Sequence, residues 1–230
     1  MKLIYLFLLF STFSLVAQTD VERAEKLMSQ KKYVEAKIIL ESYIRMHPKD
    51  PKAIENLGDI AGLEHKWSDA IKYYKILKTD YPKNADYIYK YGGALGMKAK
   101  SVNKFKAMGM LDEIEQSFLT ASKLDSNHID SRWALVIYYL EVPGILGGSE
   151  SKSQKYANQL EHISPVDGYL ANAYIDEYFK RYKEAERNYV KANEIGKSKV
   201  TFKKLHDFYL YKLKDAEKAK KLKEQFEKTV

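Results

Sequence analysis

Apolar and small residues recur along this chain with two periods at once. The short period is helical: Trp133, Val136, Ile137 and Leu140 fall three or four residues apart, the spacing of one buried helix face. The long period is 34 residues: Tyr33-Val-Glu-Ala36 followed by Pro48 is answered by Trp67-Ser-Asp-Ala70 followed by Pro82, and Leu57-Gly58 by Tyr91-Gly92. Tyr182-Lys-Glu-Ala185 repeats the first segment further on. Asp50-Pro51 supplies an N-cap and a proline at the first helical position, so one helix starts just after Pro48 ends another. Small residues on the first helix of each pair (Gly58, Gly92) and on the second (Ala36, Ala70, Ala185, Ala216) predict close helix crossings. The large rings of Tyr33, Trp67, Tyr74, Tyr182 and Tyr189 predict the filling between one hairpin and the next. A lone hairpin cannot bury such a face, so the units have to stack.

On the stretch Ile54-Glu-Asn-Leu-Gly-Asp-Ile-Ala61, with Trp67, Ala70, Tyr74, Leu77 and Pro82 after it, the chain resembles the tetratricopeptide repeat family, over nearly all of residues 18–230. The resemblance implies an all-α fold: a right-handed superhelix of antiparallel helix hairpins forming one continuous solenoid. About six units are expected, near 18–50, 51–84, 85–127, 128–164, 165–199 and 200–230, the last a terminal cap with a basic outer face. Two units depart from the period. About ten extra residues precede the helix placed on Ile114, Phe118 and Ala121, and about five extra precede the helix carrying Ala157 and Leu160.

The first residues change the expected setting. Met1-Lys2, the apolar run Leu3–Phe10 and the small segment around Ala17 read as a secretory signal peptide over residues 1–17, cut after Ala17. An apolar anchor that stays attached is the alternative. The expected location is therefore exported, periplasmic after cleavage or else secreted, and the Pro-Gly, Gly-Gly-Ser lengthening resembles one found in exported bacterial tetratricopeptide proteins. The sequence contains no cysteine, which removes disulfides and thiolate metal sites. The formal net charge is +8, but export disfavours nucleic acid as a partner.

Candidate chemistry is sparse. Val142-Pro-Gly-Ile-Leu-Gly-Gly-Ser-Glu-Ser-Lys152 looks like a phosphate loop, yet Lys152 follows Ser151 rather than glycine, and the preceding segment reads as helix. The expected reading is structural. Pro143 and Gly144 end a helix, Gly147-Gly148 turn with positive φ, and Ser149 caps the next helix with Glu150 in its first turn. The five histidines (His47, His65, His128, His162, His206) show no metal-binding spacing. No catalytic residues, cofactor or metal are assigned, and a hydrolase or transferase built at the Gly-Gly-Ser turn is the remaining enzymatic alternative.

The resemblance implies that partners bind on the concave face, lined by the first helix of each pair. Groove residues expected from the register are Lys52, Glu55, Asp59 and Leu63, then Tyr89, Gly93 and Met97, then Trp133, Ile137 and Glu141, and finally Tyr174 and Glu177. Trp133 and Tyr89 are equally readable as packing against the neighbouring hairpin. Family members that clamp the terminal carboxylate of an acidic peptide use Lys, Arg and Asn on the first helices. Here Glu25, Glu55 and Asp59 stand at the matching places and would repel such a tail. A second reading comes from charge. Between Tyr87 and Leu111 there is no acidic residue, while Lys90, Lys98, Lys100, Lys104 and Lys106 occur with Met97, Met108 and Met110 interleaved. Lys98, Lys100, Lys104 and Lys106 form a candidate basic patch for an anionic lipid or polymer. The leading expectation is a non-catalytic interaction scaffold of the cell envelope that takes a protein or peptide partner.

Overall fold

The computed structural model describes residues 20–228; the expected signal peptide and the cut after Ala17 lie outside the described residues. Helical residues 20–29 (α1) are followed by α2 (Tyr33–Met46), α3 (Pro51–Leu63), α4 (Trp67–Asp80), α5 (Ala85–Lys100), the short α6 (Lys104–Met108) and α7 (Leu111–Leu124). Then come α8 (Ile129–Glu141), a 3-10 turn (Gly144–Leu146), α9 (Glu150–Ile163), α10 (Pro165–Tyr178) and α11 (Tyr182–Gly196). Finally α12 (Lys199–Asp207) runs into a π-helical turn (Phe208–Leu213) and α13 (Ala216–Glu227). Among the described residues there is no strand, and no helix is long and apolar enough to cross a membrane. The chain divides into two compact units at Ser117/Phe118, inside α7.

In the first unit, sequence-adjacent helices pack as antiparallel hairpins, α2 on α3, α3 on α4 and α4 on α5. Its first core joins Val21 and Ala24 of α1, Ala36 and Leu40 of α2, and Ala53, Leu57 and Ile60 of α3, with Tyr33, Tyr43 and Tyr73 packed around it. Asp50 starts α3 as expected: its carboxylate accepts from Ala53 N at 2.9 Å and from the Tyr43 hydroxyl at 3.0 Å, and Pro51 occupies the first turn. The extra residues of the third hairpin lengthen α5 to Lys100 and add α6, which has no buried residue and packs chiefly on α5.

In the second unit, α8 to α12 pack in the same serial manner. The core there gathers Leu170, Ala173, Ala185, Tyr189, Ala192, Leu205, Phe208, Tyr209 and Ala219. Phe202 and Phe226 stack at 4.3 Å and close the last hairpin. Arg132 is buried and serves the chain's own backbone. Its guanidinium donates to the carbonyl oxygens of Ser122, Asp125 and His128 and to Gln159 Oε1, taking up acceptors left over where α7 ends.

The register of the last hairpin differs from the expectation. Ala36, Ala70 and Ala185 are each the fourth residue of their helix and fully buried. In α13 that place belongs to Ala219, while Ala216 is the exposed first residue. The turn explains the shift. Lys31, His65, Lys180 and Lys214 all adopt positive φ, each two residues before the second helix of its hairpin, so Lys214 marks α13 as starting at Ala216. In α9 the fourth place is filled by Ser153, buried, whose hydroxyl donates to Val136 O at 2.9 Å.

Close approach between helices dictates Gly58 and Gly168. A Cβ on Gly58 would sit 2.6 Å from the Tyr74 ring, and one on Gly168 would sit 2.3 Å from Glu161 Cα. By contrast, nothing lies within 4 Å of where a Gly93 Cβ would be. Gly168→Ala should therefore cost about 2–3 kcal/mol through overpacking against backbone that cannot rotate away. Gly93→Ala should leave stability unchanged or raise it by up to about 1 kcal/mol through helix propensity. Chemical denaturation of both variants beside the wild type checks the contrast.

Candidate functional site

The faces of α1, α3 and α5 carry a chain of alternating charges. Lys52 Nζ lies 3.2 Å from Glu25 and 3.7 Å from Glu55, and the buried Asn56 donates to Glu25. Lys90 of α5 then reaches back to donate to Glu55 at 2.6 Å and to both oxygens of Asp59 at 2.8 and 2.9 Å. Asp59 also accepts from the Tyr74 hydroxyl, 2.6 Å away, from the second helix of its own hairpin. Glu55 and Asp59 are thus brought together through Lys90. Lys90 belongs to the internal scaffold rather than to the exposed basic stretch where the sequence placed it.

The second unit repeats the arrangement. Glu177 of α10 accepts from the Tyr189 hydroxyl of α11 at 2.8 Å and is paired with Lys212, carried by the π-helical turn, at 2.9 Å. Each clamp has the same three parts: a carboxylate on the first helix, a tyrosine from the second, and a lysine from the following hairpin. Burial opposes the charge on Lys90, yet hydrogen bonds to Asp59 and Glu55 more than offset it and hold its pKa above the ordinary lysine value. Burial, aided by the neighbouring carboxylates, pushes the Tyr74 and Tyr189 hydroxyls well above the usual tyrosine range. A related set joins Tyr91, which donates to Glu113 at 2.7 Å, with Lys78 lying 4.2 Å over the Tyr91 ring.

The other expected groove residues fall into different roles. Trp133 is half-buried beside the second-unit core, and its indole N–H donates to Asp167 Oδ1 at 2.8 Å, so its polar edge ties α8 to α10. Ile137 is half-buried. Tyr174 is half-buried, with its hydroxyl raised in pKa first by burial and then by the nearby Glu141 and Glu177 charges. Tyr89 is half-buried, Gly93 faces open space, and Met97 is 41% exposed; the three stand at four-residue intervals along α5. Of the basic patch, Lys104 and Lys106 are exposed on α6 and Lys100 is exposed at the end of α5. Lys98 lines a separate shallow hollow with His65, Lys66, Trp67, Ser68, Asp69 and Ser101.

The carboxylates Glu25, Glu55 and Asp59 do not present the bare negative face that the sequence suggested, because Lys52 and Lys90 lie between them. The glycine-rich loop has a structural role. Gly147 takes φ +100, and Ser149 caps α9 by accepting from Lys152 N. Gly148 is required for space rather than for positive φ, since a Cβ there would lie 1.7 Å from Val142 O. The histidines are dispersed: His47 stacks on Tyr43, His65 meets the edge of Trp67, and His128 caps α8 through Nδ1. Among the described residues no cluster of His, Asp and Glu could hold a metal ion.

Solved structures with this fold are many, at low identity. TTC0263, a thermophilic TPR protein of Thermus thermophilus, matches with TM-score 0.66 at 17% identity, over 80% of this chain and 93% of that one. The fold is that of the tetratricopeptide repeat. PilW, a widely conserved type IV pilus biogenesis factor, matches this repeat architecture with TM-score 0.67 at 14% identity over 91% of each chain. PilF of Pseudomonas aeruginosa matches with TM-score 0.61 at 15% identity, over 93% of this chain and 91% of that one. No protein-family model matches the sequence, and no curated protein matches it. The tetratricopeptide hairpins therefore supply the frame, and the clamps just described are features of this chain's own residues.

Sequence reasoning missed the clamps because their members are far apart: Tyr74 and Lys90 lie 15 and 31 residues beyond Asp59. No single spacing finds both clamps, because Tyr189 and Lys212 follow Glu177 by 12 and 35 residues. They have a consequence at high pH. Unfolded tyrosines ionise near pH 10, whereas Tyr74, Tyr91 and Tyr189 are raised beyond that, and burial followed by Glu186 pushes Tyr209 up to about 12. The stability these groups contribute is complete below about pH 10 and is lost as pH rises toward the folded values. Stability should be level from neutrality to about pH 9.5 and fall steeply above it. Phenolate absorbance should show a class of tyrosines that ionise only as helical circular dichroism disappears.

Proposed function

We propose that this protein is a non-catalytic interaction scaffold of the cell envelope, holding an extended or helical segment of a partner protein along the first-helix faces. The observation that carries the reading is the open stripe on α5. Tyr89, Gly93 and Met97 succeed one another along one face, and a Cβ at Gly93 would have no neighbour within 4 Å. Beside them the clamped charges of α3 are already neutralised, so the face offers an apolar notch rimmed by fixed, paired polar groups. Such a surface favours shape and apolar contact over net charge.

The fold supports the class of function. PilW, which shares it at 14% identity, is a pilus biogenesis factor, and YrrB, matched with TM-score 0.53, is a TPR protein with an unusual peptide-binding site. Placement in the envelope rests on reading residues 1–17 as a signal peptide, and the periplasm is the proposed compartment after its cleavage. Within this reading Glu55 and Asp59 hold the α3 face in shape, Trp133, Tyr174 and Glu177 do the same on α8 and α10, where Ile137 contributes apolar lining, and the α5 stripe makes the contact that selects a partner.

A photo-crosslinking amino acid placed at Tyr89, Gly93 or Met97 should capture one defined protein in cells, while the same group at exposed Lys75 on α4 should not. Gly93→Leu, which fills the notch, should then weaken binding of that purified protein at least about tenfold with no loss of thermal stability. Affinity should change little between low and moderate salt. Capture that is indifferent to position, or binding untouched by Gly93→Leu, would remove the α5 face from the account.

A further inference from the structure

Phe105 is 88% exposed, on a helix none of whose residues is buried. Met108, three residues on and hence on the same side of α6, is 47% exposed. Lys104 and Lys106 flank the ring and are exposed. The turn is held in shape by its own cap, since Asn103 accepts from Lys106 N at 3.0 Å, so the apolar side chains are displayed by a formed helix. Exposing a phenylalanine this fully forgoes the stabilisation its burial would give, and no internal packing of α6 calls for it.

The charge around the ring selects the surface it meets. No acidic residue lies between Tyr87 and Leu111. Of the first acids after that stretch, Glu113 is occupied by Tyr91 and Lys78, and Asp112 stands in the first turn of α7. An aromatic and a thioether side chain displayed on a short exposed helix among lysines suit a planar medium with anionic headgroups over an apolar interior. A groove-shaped protein partner would need a larger contact than α6 offers.

We propose that α6 docks the protein on an anionic lipid bilayer, with Phe105 and Met108 entering the interfacial region and Lys104 and Lys106 pairing with lipid phosphates. This assigns the role to Phe105 as much as to the lysines, and it excludes Lys98, which lines the hollow with Asp69. It rests on the lysine-rich stretch and is independent of the groove reading.

The chain has no cysteine, so Phe105→Cys gives a single labelling point. An environment-sensitive fluorophore there should shift to an apolar signal when vesicles of phosphatidylglycerol and phosphatidylcholine are added to the full chain. The same fluorophore on Ser126→Cys, in an exposed loop, should not shift. In vesicle sedimentation Phe105→Ser should lower binding roughly tenfold while keeping the salt dependence. Lys104→Gln with Lys106→Gln should lower it by a similar factor and flatten the salt dependence. Because these side chains are exposed, circular dichroism should be unchanged. A label at position 105 that stays in water on anionic vesicles, or binding equal in wild type and Phe105→Ser, would overturn the proposal. So would capture of an acidic protein through Phe105 in place of lipid.

Discussion

Everything on the first-helix faces depends on how closely the two helices of a hairpin approach. At Gly58 the absence of a Cβ lets the Tyr74 ring lie against the backbone of α3, and only at that distance does the Tyr74 hydroxyl emerge beside Asp59. The carboxylate so placed is then the anchor for Lys90 of the next hairpin. One steric allowance thus fixes a hydrogen bond within a hairpin and an ion pair between hairpins. Glu177, Tyr189 and Lys212 bring the same three kinds of side chain together in the second unit, where the lysine comes from a π-helical turn instead of an α-helix. Desolvated phenols and a half-buried lysine are costly alone and tolerated only because each completes the others.

Charge in this fold divides into paired and available groups. Lys52, Lys90 and Lys212 are committed to carboxylates within the fold, as is Lys218, which reaches Glu186 at 2.6 Å. The tail helix is thereby tied into its own unit by Lys218, while Lys223 pairs with Glu227 one turn along the same helix. A formal charge of +8 consequently says little about where a ligand would meet the protein. The display of Phe105 between exposed lysines says more, because these side chains are left to solvent.

Much of the architecture was legible in the sequence because tetratricopeptide packing is periodic and local. A fixed spacing of small and aromatic residues reports hairpins directly, and Asp50-Pro51 and Ser149 report helix starts through capping chemistry. What was not legible depends on where a side chain ends after traversing a hairpin. Trp133 reads equally as ligand or packing residue until its indole is seen on Asp167. Ala216 was misplaced as the buried small residue because positive φ at Lys214, an unfavourable lysine conformation with no sequence signature, sets the start of α13 three residues before Ala219. The bridging role of Lys90 was hidden for a similar reason: composition counts it as one more cation in an acid-free stretch.

The central claim is that the Tyr–carboxylate–Lys clamp couples adjacent hairpins rather than decorating them. A double-mutant cycle on Tyr74→Phe and Lys90→Met, read by denaturant unfolding at neutral pH, tests it most directly, since both side chains meet on Asp59. The account predicts that the two changes are non-additive by about 1–2 kcal/mol, because losing either partner leaves Asp59 short of a donor and weakens the other's contact. Additivity within about 0.5 kcal/mol would contradict it and reduce the clamp to two independent surface contacts.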